Sequence, residues 1–309
     1  MSESSDGPFP IDEPLVRRLL AGQFPQWAEL PLAPVPLAGM DNATYRLGPH
    51  MTVRLPRFPR WVRQVQREQA WLPELAPRLP LPIPVPLGRG EPAEGYPFPW
   101  SVYRWIEGDT ATRDGLAEPQ QAAVDLAGFL TALQRIDAAG GPGPEWSNAF
   151  RGVPMGDERD SLASEARVRP RIAELADLGT VDIGAVTAVW EAALAAPAWD
   201  GDPVWVHGDL APGNLLTRDG RLSAVIDFGT LAVGDPAVDL LPAWKLLPPS
   251  ARPAFRAALP FADEATWARG RGWALAASLP VPSDPFYRDH PARTAEALAD
   301  LSELIADLG

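Results

Sequence analysis

Residues 204–241 constrain this chain more than any other stretch, because a predicted β-hairpin there has polar residues at both ends. Apolar runs at 215–217 and 222–226 predict two short strands, and the Arg-Asp-Gly sequence between them is a turn signal. His207-Gly208-Asp209 precedes the first run, and Asp227-Phe228-Gly229 follows the second. The hairpin is therefore predicted to present two groups of side chains that can carry chemistry.

The residue types in these groups suit phosphoryl transfer. Donor phosphates concentrate negative charge, so a divalent cation must be held by oxygen ligands, and a further carboxylate must meet the acceptor hydroxyl. Asp209 can be that carboxylate, Asn214 offers an amide oxygen to Mg²⁺, and Asp227 offers a second metal ligand. The order H-x-D-x-x-x-x-N followed by D-F-G is that of the kinase catalytic and metal-binding loops.

The stretch resembles the aminoglycoside phosphotransferase family in HGDLAPGN at 207–214, IDFG at 226–229 and GDP at 234–236. The resemblance implies an α+β, two-lobe protein-kinase-like fold. A small N-lobe over 1–105 would hold an antiparallel sheet with helices, and a larger, mainly helical C-lobe would span 106–309. It also implies a Mg²⁺-dependent transfer of the terminal phosphate of ATP, or GTP, to a hydroxyl of a small molecule, foremost an aminoglycoside-type antibiotic.

Three neighbours of the catalytic residues are expected to support them. His207 is predicted to pack and hydrogen-bond so that it holds the turn, rather than to act as a base. Asp235 is the predicted N-cap of the following helix, and Asp239 is predicted to brace the catalytic loop. Asp209 itself is expected to act mostly by orienting the acceptor, because phosphoryl-transfer transition states are loose.

A turn near the N-terminus lies where a kinase has its phosphate-covering loop. Met40, Asp41 and Asn42 in this turn are candidate nucleotide-binding residues, although the turn holds one glycine instead of the repeated glycines of a kinase loop. The strands predicted around it are 32–37, 43–47 and 51–55.

The third of these strands carries Arg54, and the helix predicted at 61–75 carries Glu68. The resemblance places here a lysine that neutralises the donor phosphates and a glutamate that holds it. Arg54 in place of lysine keeps the charge but donates through a bulkier planar fork. The alternative is a solvated surface ion pair that contributes little.

The strand predicted at 100–106 follows a proline-dense extended stretch at 79–90. The resemblance places the interlobe hinge here, where the backbone groups of Arg104 and Ile106 would pair with an adenine edge. Because only backbone groups would take part, the side chains give no support to this role, and a plain core strand is the alternative.

The C-lobe contains the region where acceptors are held in this family. A helix predicted at 118–136 supplies core, and a helical pair is predicted at 159–178 and 183–194. Asp157, Glu158 and Asp160, with Glu165 nearby, could bind ammonium groups of an acceptor. Acidic residues at a helix start also stabilise the helix dipole, so a structural role is the alternative.

The remaining chain predicts helices at 235–247, 251–259, 263–278 and 291–308. Gly270-Arg271-Gly272 is expected to interrupt the third of them. Trp244, Trp267 and Trp273 are expected in the core rather than on a sugar-binding surface.

Composition limits the choice of partners. The net charge of −13 disfavours nucleic acid and anionic membranes. It is compatible with a cationic small-molecule acceptor, although charge alone favours the alternative that the acidity serves solubility. Cysteine is absent, which excludes disulfides and thiolate metal sites. With no long apolar run and no signal-peptide pattern at the N-terminus, we expect a cytoplasmic protein that is a monomer or homodimer.

Other functions remain open at the level of sequence. The same apparatus serves kinases of macrolides, choline, methylthioribose and sugars, and Arg54 with the glycine-poor loop raises the possibility of a nucleotide-binding pseudokinase. Intact Asp209, Asn214 and Asp227 argue against the pseudokinase. A protein kinase is disfavoured because only a few residues separate Asp227 from the Gly-Asp-Pro sequence that follows it.

Overall fold

The computed structural model describes residues 8–35, 41–179 and 181–308. The chain divides into two compact units, the first comprising Met1–Glu107 and Ala224–Gly229 and the second comprising Gly108–Ser223 and Thr230–Gly309. The segment Ala224–Gly229, which carries Asp227, therefore groups with the N-terminal part of the chain.

The first unit is built on a five-stranded antiparallel sheet in the order β1-β2-β3-β5-β4. Its apolar core includes Leu47, Val53, Leu55 and Trp100, all fully buried. Its elements are α1 (Glu13–Gln23), β1 (Leu32–Pro34), β2 (Asn42–Leu47), β3 (Met51–Pro56), α2 (Val62–Leu75), β4 (Pro86–Gly90) and β5 (Trp100–Arg104).

The central strand of this sheet positions Arg54. Arg54 on β3 pairs in register with Thr44 on β2 and with Ser101 on β5. Helix α2 follows β3 and carries buried polar residues, Gln64, Arg67 and Glu68, at the i, i+3 and i+4 spacing that places side chains on one helical face. A buried polar face needs partners, and these lie in the site described below.

The second unit is mainly helical and contains short strands. Its largest fully buried side chains include Trp190, Trp205, Trp244 and Trp273. Its helices are α3 (Pro119–Gln134), α4 (Glu165–Glu174), α5 (Ile183–Ala195), α6 (Pro242–Lys245), α7 (Arg252–Ala257), α8 (Glu264–Ser278), α9 (Pro285–Arg288) and α10 (Pro291–Ala306).

Short strands frame the catalytic motifs. β7 (Val204–Val206) pairs antiparallel with β10 (Ala232–Gly234). β8 (Leu215–Arg218) lies between β6 (Asp109–Thr110) and β9 (Arg221–Val225). The turn between β8 and β9 has positive φ at Asp219 and Gly220, as the Asp-Gly turn signal predicts.

Three expectations about helices are wrong, of which the one at 235–247 is described with Asp235 below. Residues 159–164 are not helical, and α4 begins only at Glu165, because Asp157 accepts hydrogen bonds from the backbone and side chain of Arg159 and so favours a local turn. Gly270-Arg271-Gly272 does not interrupt α8. Each glycine instead allows a residue from another element to pack closely against α8. A Cβ at Gly270 would lie 2.7 Å from Leu240, and one at Gly272 would lie 2.4 Å from Ala193.

No helix in the described part of the chain is long and apolar enough to cross a membrane.

Candidate active site

The catalytic loop of the second unit begins where β7 ends. Asp239 is fully buried, and its two carboxylate oxygens accept hydrogen bonds from the backbone N–H groups of His207 and Gly208, each at 2.7 Å. Burial raises the pKa of Asp239, and the two N–H donors oppose that rise. The contact gives Asp239 the bracing geometry expected from the sequence.

His207 is also fully buried. Its Nδ1 accepts the backbone N–H of Asp209 at 3.2 Å, and its carbonyl accepts the hydroxyl of Thr230 at 2.9 Å. An Nδ1 used as an acceptor within the loop suits a residue that holds the turn. The predicted supporting role of His207 therefore fits its contacts.

Asp209 projects from this loop with a half-exposed side chain, 41% accessible. Asn214 Nδ2 donates to Asp209 Oδ2 at 3.1 Å and to the Asp209 carbonyl at 2.8 Å. Arg151 Nη2 lies 3.6 Å from Asp209 Oδ1. One carboxylate oxygen of Asp209 is thus hydrogen-bonded and the other lies beside a positive charge, while part of the group remains accessible.

Asp235 has two contacts that fix the chain after β10. Its Oδ1 accepts the backbone N–H of Ala237 at 2.9 Å, which caps the short 3₁₀ helix Pro236–Leu240. Its other oxygen pairs with the buried Arg269, with 2.7 Å between Nε and Oδ2. Asp235 is therefore an N-cap, as predicted, although the helix expected at 235–247 is divided into this 3₁₀ helix and the single-turn α6 (Pro242–Lys245).

In the first unit, Arg54 contacts both carboxylates that the kinase pattern singles out. Its Nη2 lies 2.9 Å from Asp227 Oδ1, and its Nη1 lies 3.6 Å from Glu68 Oε1. The side chains of Arg54 and Glu68 are 15% and 2% accessible. The alternative of a solvated surface pair is thereby excluded by burial.

The charges of this buried group are interdependent. Burial opposes the charged form of Arg54, but Asp227 and Glu68 outweigh it and raise the arginine pKa. Burial raises the pKa of Glu68, and the charge of Arg54 opposes that rise. Tyr103 donates its hydroxyl to Glu68 Oε2, and burial raises the pKa of Tyr103 well above its usual value. Both carboxylate oxygens of the buried Glu68 therefore have a polar partner, Arg54 at Oε1 and Tyr103 at Oε2.

Two residues on α2 that the sequence reasoning missed contact the Asp-Phe-Gly motif. Gln64 Nε2 donates to Glu68 Oε1 at 3.2 Å and lies 3.4 Å from Asp227 Oδ1. Arg67 Nη2 donates to the carbonyl of Gly229 at 2.9 Å. The polar spacing with Glu68 on one helical face was the signal that could have revealed them.

Asp227 adopts φ +62°, a left-handed conformation that non-glycine residues rarely take. Aspartate tolerates this region better than most residues. Arg54 and Gln64 contact its side-chain carboxylate. Such backbone strain is often found at functional sites.

Two of the three candidates in the predicted nucleotide loop, Asp41 and Asn42, lie within the described residues. Met40 lies outside the described residues. The carbonyl of Asp41 accepts the N–H of Arg57 at 2.9 Å, and the buried Asn42 donates its amide to Gln64 Oε1 at 3.3 Å. The side chain of Asn42 therefore braces α2 instead of facing outward.

At the predicted hinge, the backbone N–H of Arg104 already donates to the carbonyl of Val85 at 2.9 Å. That group is therefore occupied. The N–H of Ile106, by contrast, makes no hydrogen bond within the parts of the chain that the structure describes. Of these two N–H groups, that of Ile106 is the one left for an adenine edge.

The acidic candidates for acceptor binding are largely paired with arginines. Arg159 contacts both oxygens of Asp157, at 2.7 and 2.9 Å, and these bonds lower the pKa of Asp157. Arg167 lies 3.2 Å from Asp160. Glu158 is exposed and has no such partner among the described residues.

The metal-binding candidates offer oxygen atoms of the kind that Mg²⁺ prefers. Because Asn214 uses its amide nitrogen on Asp209, its amide oxygen is the atom left for a cation. No cluster of three or more His, Cys, Asp or Glu side chains among the described residues could hold a metal ion. The amide oxygen of Asn214 and the carboxylate of Asp227 are each ligand types that suit Mg²⁺, which usually takes its other ligands from phosphate and water at phosphoryl-transfer sites.

A model of the phosphotransferase enzyme family matches residues 33–273. The chain belongs to this family. The match begins at β1 and ends within α8, so it covers the sheet of the first unit and the catalytic loop of the second. No curated protein gives a significant match.

Solved structures of phosphotransferases share the fold. The GDP complex of wild-type aminoglycoside 2'-phosphotransferase-IIIa aligns with a TM-score of 0.69 at 17% identity, over 97% of this chain and 100% of that one. The GDP and kanamycin complex of APH(2")-IIia gives 0.66 at 18% identity, over 94% and 98%. A macrolide 2'-phosphotransferase from Brachybacterium faecium gives 0.57 at 23% identity, also over 94% and 98%. At these identities the likeness establishes the kinase-like α+β fold that the sequence predicts.

Proposed function

We propose that this protein is a small-molecule kinase that transfers the terminal phosphate of ATP or GTP to a hydroxyl group of an antibiotic-like acceptor. One observation carries the proposal: the half-exposed carboxylate of Asp209 accepts the amide of Asn214 at one oxygen and has the guanidinium of Arg151 3.6 Å from the other. A phosphoryl acceptor needs a carboxylate of this kind, accessible and fixed in orientation.

The first unit supplies the groups for the nucleotide. Arg54, held by Glu68, offers a guanidinium to the donor phosphates. The backbone N–H of Ile106 is proposed to meet the base. Asp227 and Asn214 each offer an oxygen to Mg²⁺, which when bound would offset the negative charge of the phosphates.

The second unit orients the acceptor. Asp209 accepts the hydrogen bond of the acceptor hydroxyl and takes its proton as the oxygen bonds to phosphorus. The bond between the terminal phosphorus and the bridging oxygen breaks, and the nucleoside diphosphate leaves. Because the transition state is loose, orientation by Asp209 contributes more than its basicity. We place this reaction in the cytoplasm, where ATP and GTP are available.

The acceptor that we propose first is an aminoglycoside-type antibiotic. The net charge of −13 suits a cationic molecule, and exposed Glu158 is a candidate contact for an ammonium group. Among the structural neighbours, one is a kanamycin complex and another a gentamicin complex.

A macrolide is the second candidate, and a specific observation favours it. Asp157 and Asp160 are already paired with Arg159 and Arg167, and Arg151 places a further positive charge beside Asp209. A molecule with few ammonium groups suits such a surface better than a polycation does. The additional ammonium groups of a polycation would find few carboxylates that are not already paired with an arginine.

The test is mass spectrometry of aminoglycosides, macrolides and small amino alcohols after incubation with the purified protein, Mg²⁺ and each nucleotide separately. A compound that gains one phosphoryl group identifies the acceptor class and the donor. If no compound in the panel changed, the antibiotic acceptors would be ruled out, and nucleotide binding without turnover would favour a pseudokinase.

A further inference from the structure

Arg151 lies in a segment to which the sequence assigned no role. Its side chain is 11% accessible, and its Nη2 lies 3.6 Å from Asp209 Oδ1. The other oxygen of Asp209 accepts the amide of Asn214 at 3.1 Å. Removing Arg151 would therefore leave one of the two carboxylate oxygens without its nearest positive charge.

The backbone around Arg151 is strained. Ala149 and Phe150, which directly precede it, have φ +54° and +53°, and Gly152 directly after it has φ +79°. Two consecutive non-glycine residues in the left-handed region are unfavourable, and such conformations persist only where the surrounding structure enforces them. The chain thus adopts a costly conformation directly before this arginine.

The strained turn is anchored at both ends. On the N-terminal side, the N–H groups of Phe150 and Arg151 donate to the carbonyls of Glu145 and Asn148 at 2.9 and 3.2 Å. On the C-terminal side, the carbonyl of Gly152 accepts the N–H of Asp235 at 2.9 Å. These bonds fix where the side chain of Arg151 begins.

Gly234 makes the anchor at Gly152 possible. A Cβ at Gly234 would lie 2.4 Å from the carbonyl oxygen of Gly152, so any larger residue would push these two backbone segments apart. The glycine of the Gly-Asp-Pro motif therefore serves the placement of the segment that carries Arg151.

The catalytic motif itself makes room for Arg151. A Cβ at Gly208 would lie 2.8 Å from Cβ of Arg151, so the aliphatic part of the arginine occupies the space that a side chain at position 208 would need. The guanidinium then lies 6.0 Å from the ring centre of the buried Trp273. The arginine is thus confined between the catalytic loop and helix α8.

We propose that Arg151 is a positioning residue for Asp209, whose guanidinium holds the carboxylate in the orientation that receives the acceptor hydroxyl. The inference rests on the proposed function, because it takes Asp209 to be the acceptor-binding carboxylate. A residue that serves packing alone would change the stability of the unit. A positioning role for Arg151 instead predicts an effect on turnover with little effect on donor binding.

The kinetic test compares Arg151→Met with Arg151→Lys, using the acceptor found by the panel. Arg151→Met keeps most of the side-chain length and removes the charge. We expect its kcat to fall by about 10- to 100-fold, as small misplacements of reacting groups do, while the KM for the nucleotide stays within about twofold. Arg151→Lys, which keeps a charge, is expected to recover part of kcat.

The matched control is Arg252→Met, which also removes a buried arginine of the second unit. Arg252 donates to the carbonyl of Ala243 and pairs with Glu303, and neither residue belongs to the catalytic loop. This variant is expected to lower the melting temperature and leave kcat unchanged. If Arg151→Met kept the kcat of the unsubstituted protein, the inference would be overturned.

A crystal structure of Arg151→Met gives a second readout that needs no activity. We expect Asp209 to occupy more than one rotamer in this variant and one rotamer in Arg252→Met. A single, unchanged Asp209 rotamer in Arg151→Met would contradict the positioning role, whether or not an acceptor has been found. If Arg151→Met does not fold, Arg151→Gln is measured in the same way. Failure of the unsubstituted protein to phosphorylate any acceptor would instead count against the proposed function.

Discussion

Arg54 and Asp227 form a hydrogen-bonded ion pair, with 2.9 Å between Nη2 and Oδ1, although 173 residues separate them along the chain. Both residues belong to the first unit. The contact between Arg54 and Glu68 is longer, at 3.6 Å. An arginine in this position therefore reaches beyond the glutamate on α2 to the aspartate of the Asp-Phe-Gly motif, which the planar, extended guanidinium makes possible.

Replacing Arg54 by Met should weaken nucleotide binding. The change removes the charge offered to the donor phosphates and leaves Glu68 and Asp227 facing each other, so we expect the Kd for Mg-ATP to rise at least about tenfold. Isothermal titration calorimetry measures this Kd, and the Kd of Arg54→Lys is expected to lie between those of the unsubstituted protein and Arg54→Met. Arg89→Met is the control, since Arg89 lies in the same sheet and, among the described residues, pairs only with exposed Glu91. Equal affinities for Arg54→Met and the control would exclude Arg54 from the donor site.

Asp227→Asn should reduce the effect of Mg²⁺ on nucleotide binding. The amide keeps the shape of the side chain but loses the negative charge that attracts a divalent cation. For the unsubstituted protein we expect removal of Mg²⁺ by a chelator to weaken ATP binding by about tenfold or more, and for Asp227→Asn we expect a much smaller difference. An unaltered response to the chelator would mean that Asp227 is not a metal ligand.

The only lysine, Lys245, forms a buried pair that we expect to be important for stability. Its Nζ lies 2.5 Å from Asp300 Oδ2 and 2.9 Å from Ser278 Oγ. Asp300→Ala would leave the buried ammonium group without its carboxylate and should lower the free energy of unfolding by about 3–5 kcal/mol. The melting temperature should fall by roughly 10 °C. Lys245→Met combined with Asp300→Leu removes both charges and should regain most of this loss in a thermal unfolding experiment. If Asp300→Ala and the double variant had the same melting temperature, the unpaired charge of Lys245 would not be the cause of the lost stability.

Asp263 should make the stability of α8 dependent on pH. Its Oδ1 accepts the backbone N–H of Thr266 at 2.7 Å, and this bond lowers the pKa of Asp263 below its ordinary value of 3.8. A lowered pKa means that the stabilisation is present above the ordinary value and is lost as the pH falls through the lower pKa of the folded state. Asp263→Ala should cost about 1 kcal/mol at neutral pH.

Urea unfolding at several pH values tests this expectation. The difference between Asp263→Ala and the unsubstituted protein should shrink at acidic pH. Asp263→Asn accepts the same hydrogen bond without titrating, so its free energy of unfolding relative to Asp263→Ala should stay constant with pH. A cost for Asp263→Ala that did not change with pH would contradict the charged cap.

The kinase-like fold could be predicted from the sequence because its strongest signals are local. Asp209, Asn214 and Asp227 lie within one hairpin and its flanks, and their order alone indicates the chemistry. Arg54 and Glu68 could be placed because a strand and the next helix follow in order. The contacts of Gln64 with Asp227 and of Arg151 with Asp209 join distant parts of the chain, and no spacing rule connects them.

The wrong expectations have a related cause. The helix expected from residue 159 begins at Glu165 because Asp157 and Arg159 form a turn that apolar periodicity does not reveal. Gly270 and Gly272 suggest a break in α8, but tertiary packing against Leu240 and Ala193 offsets their low helix propensity.

The most direct test of the proposed function is to measure phosphoryl transfer by Asp209→Asn to the acceptor identified by the panel, together with its nucleotide affinity by calorimetry. The asparagine keeps the shape of Asp209 but cannot accept the hydroxyl proton, so we expect kcat to fall by about 10²- to 10⁴-fold. The Kd for Mg-ATP or Mg-GTP should stay within about threefold of the unsubstituted protein's. Undiminished transfer by Asp209→Asn would contradict the role assigned to this carboxylate and the mechanism built on it.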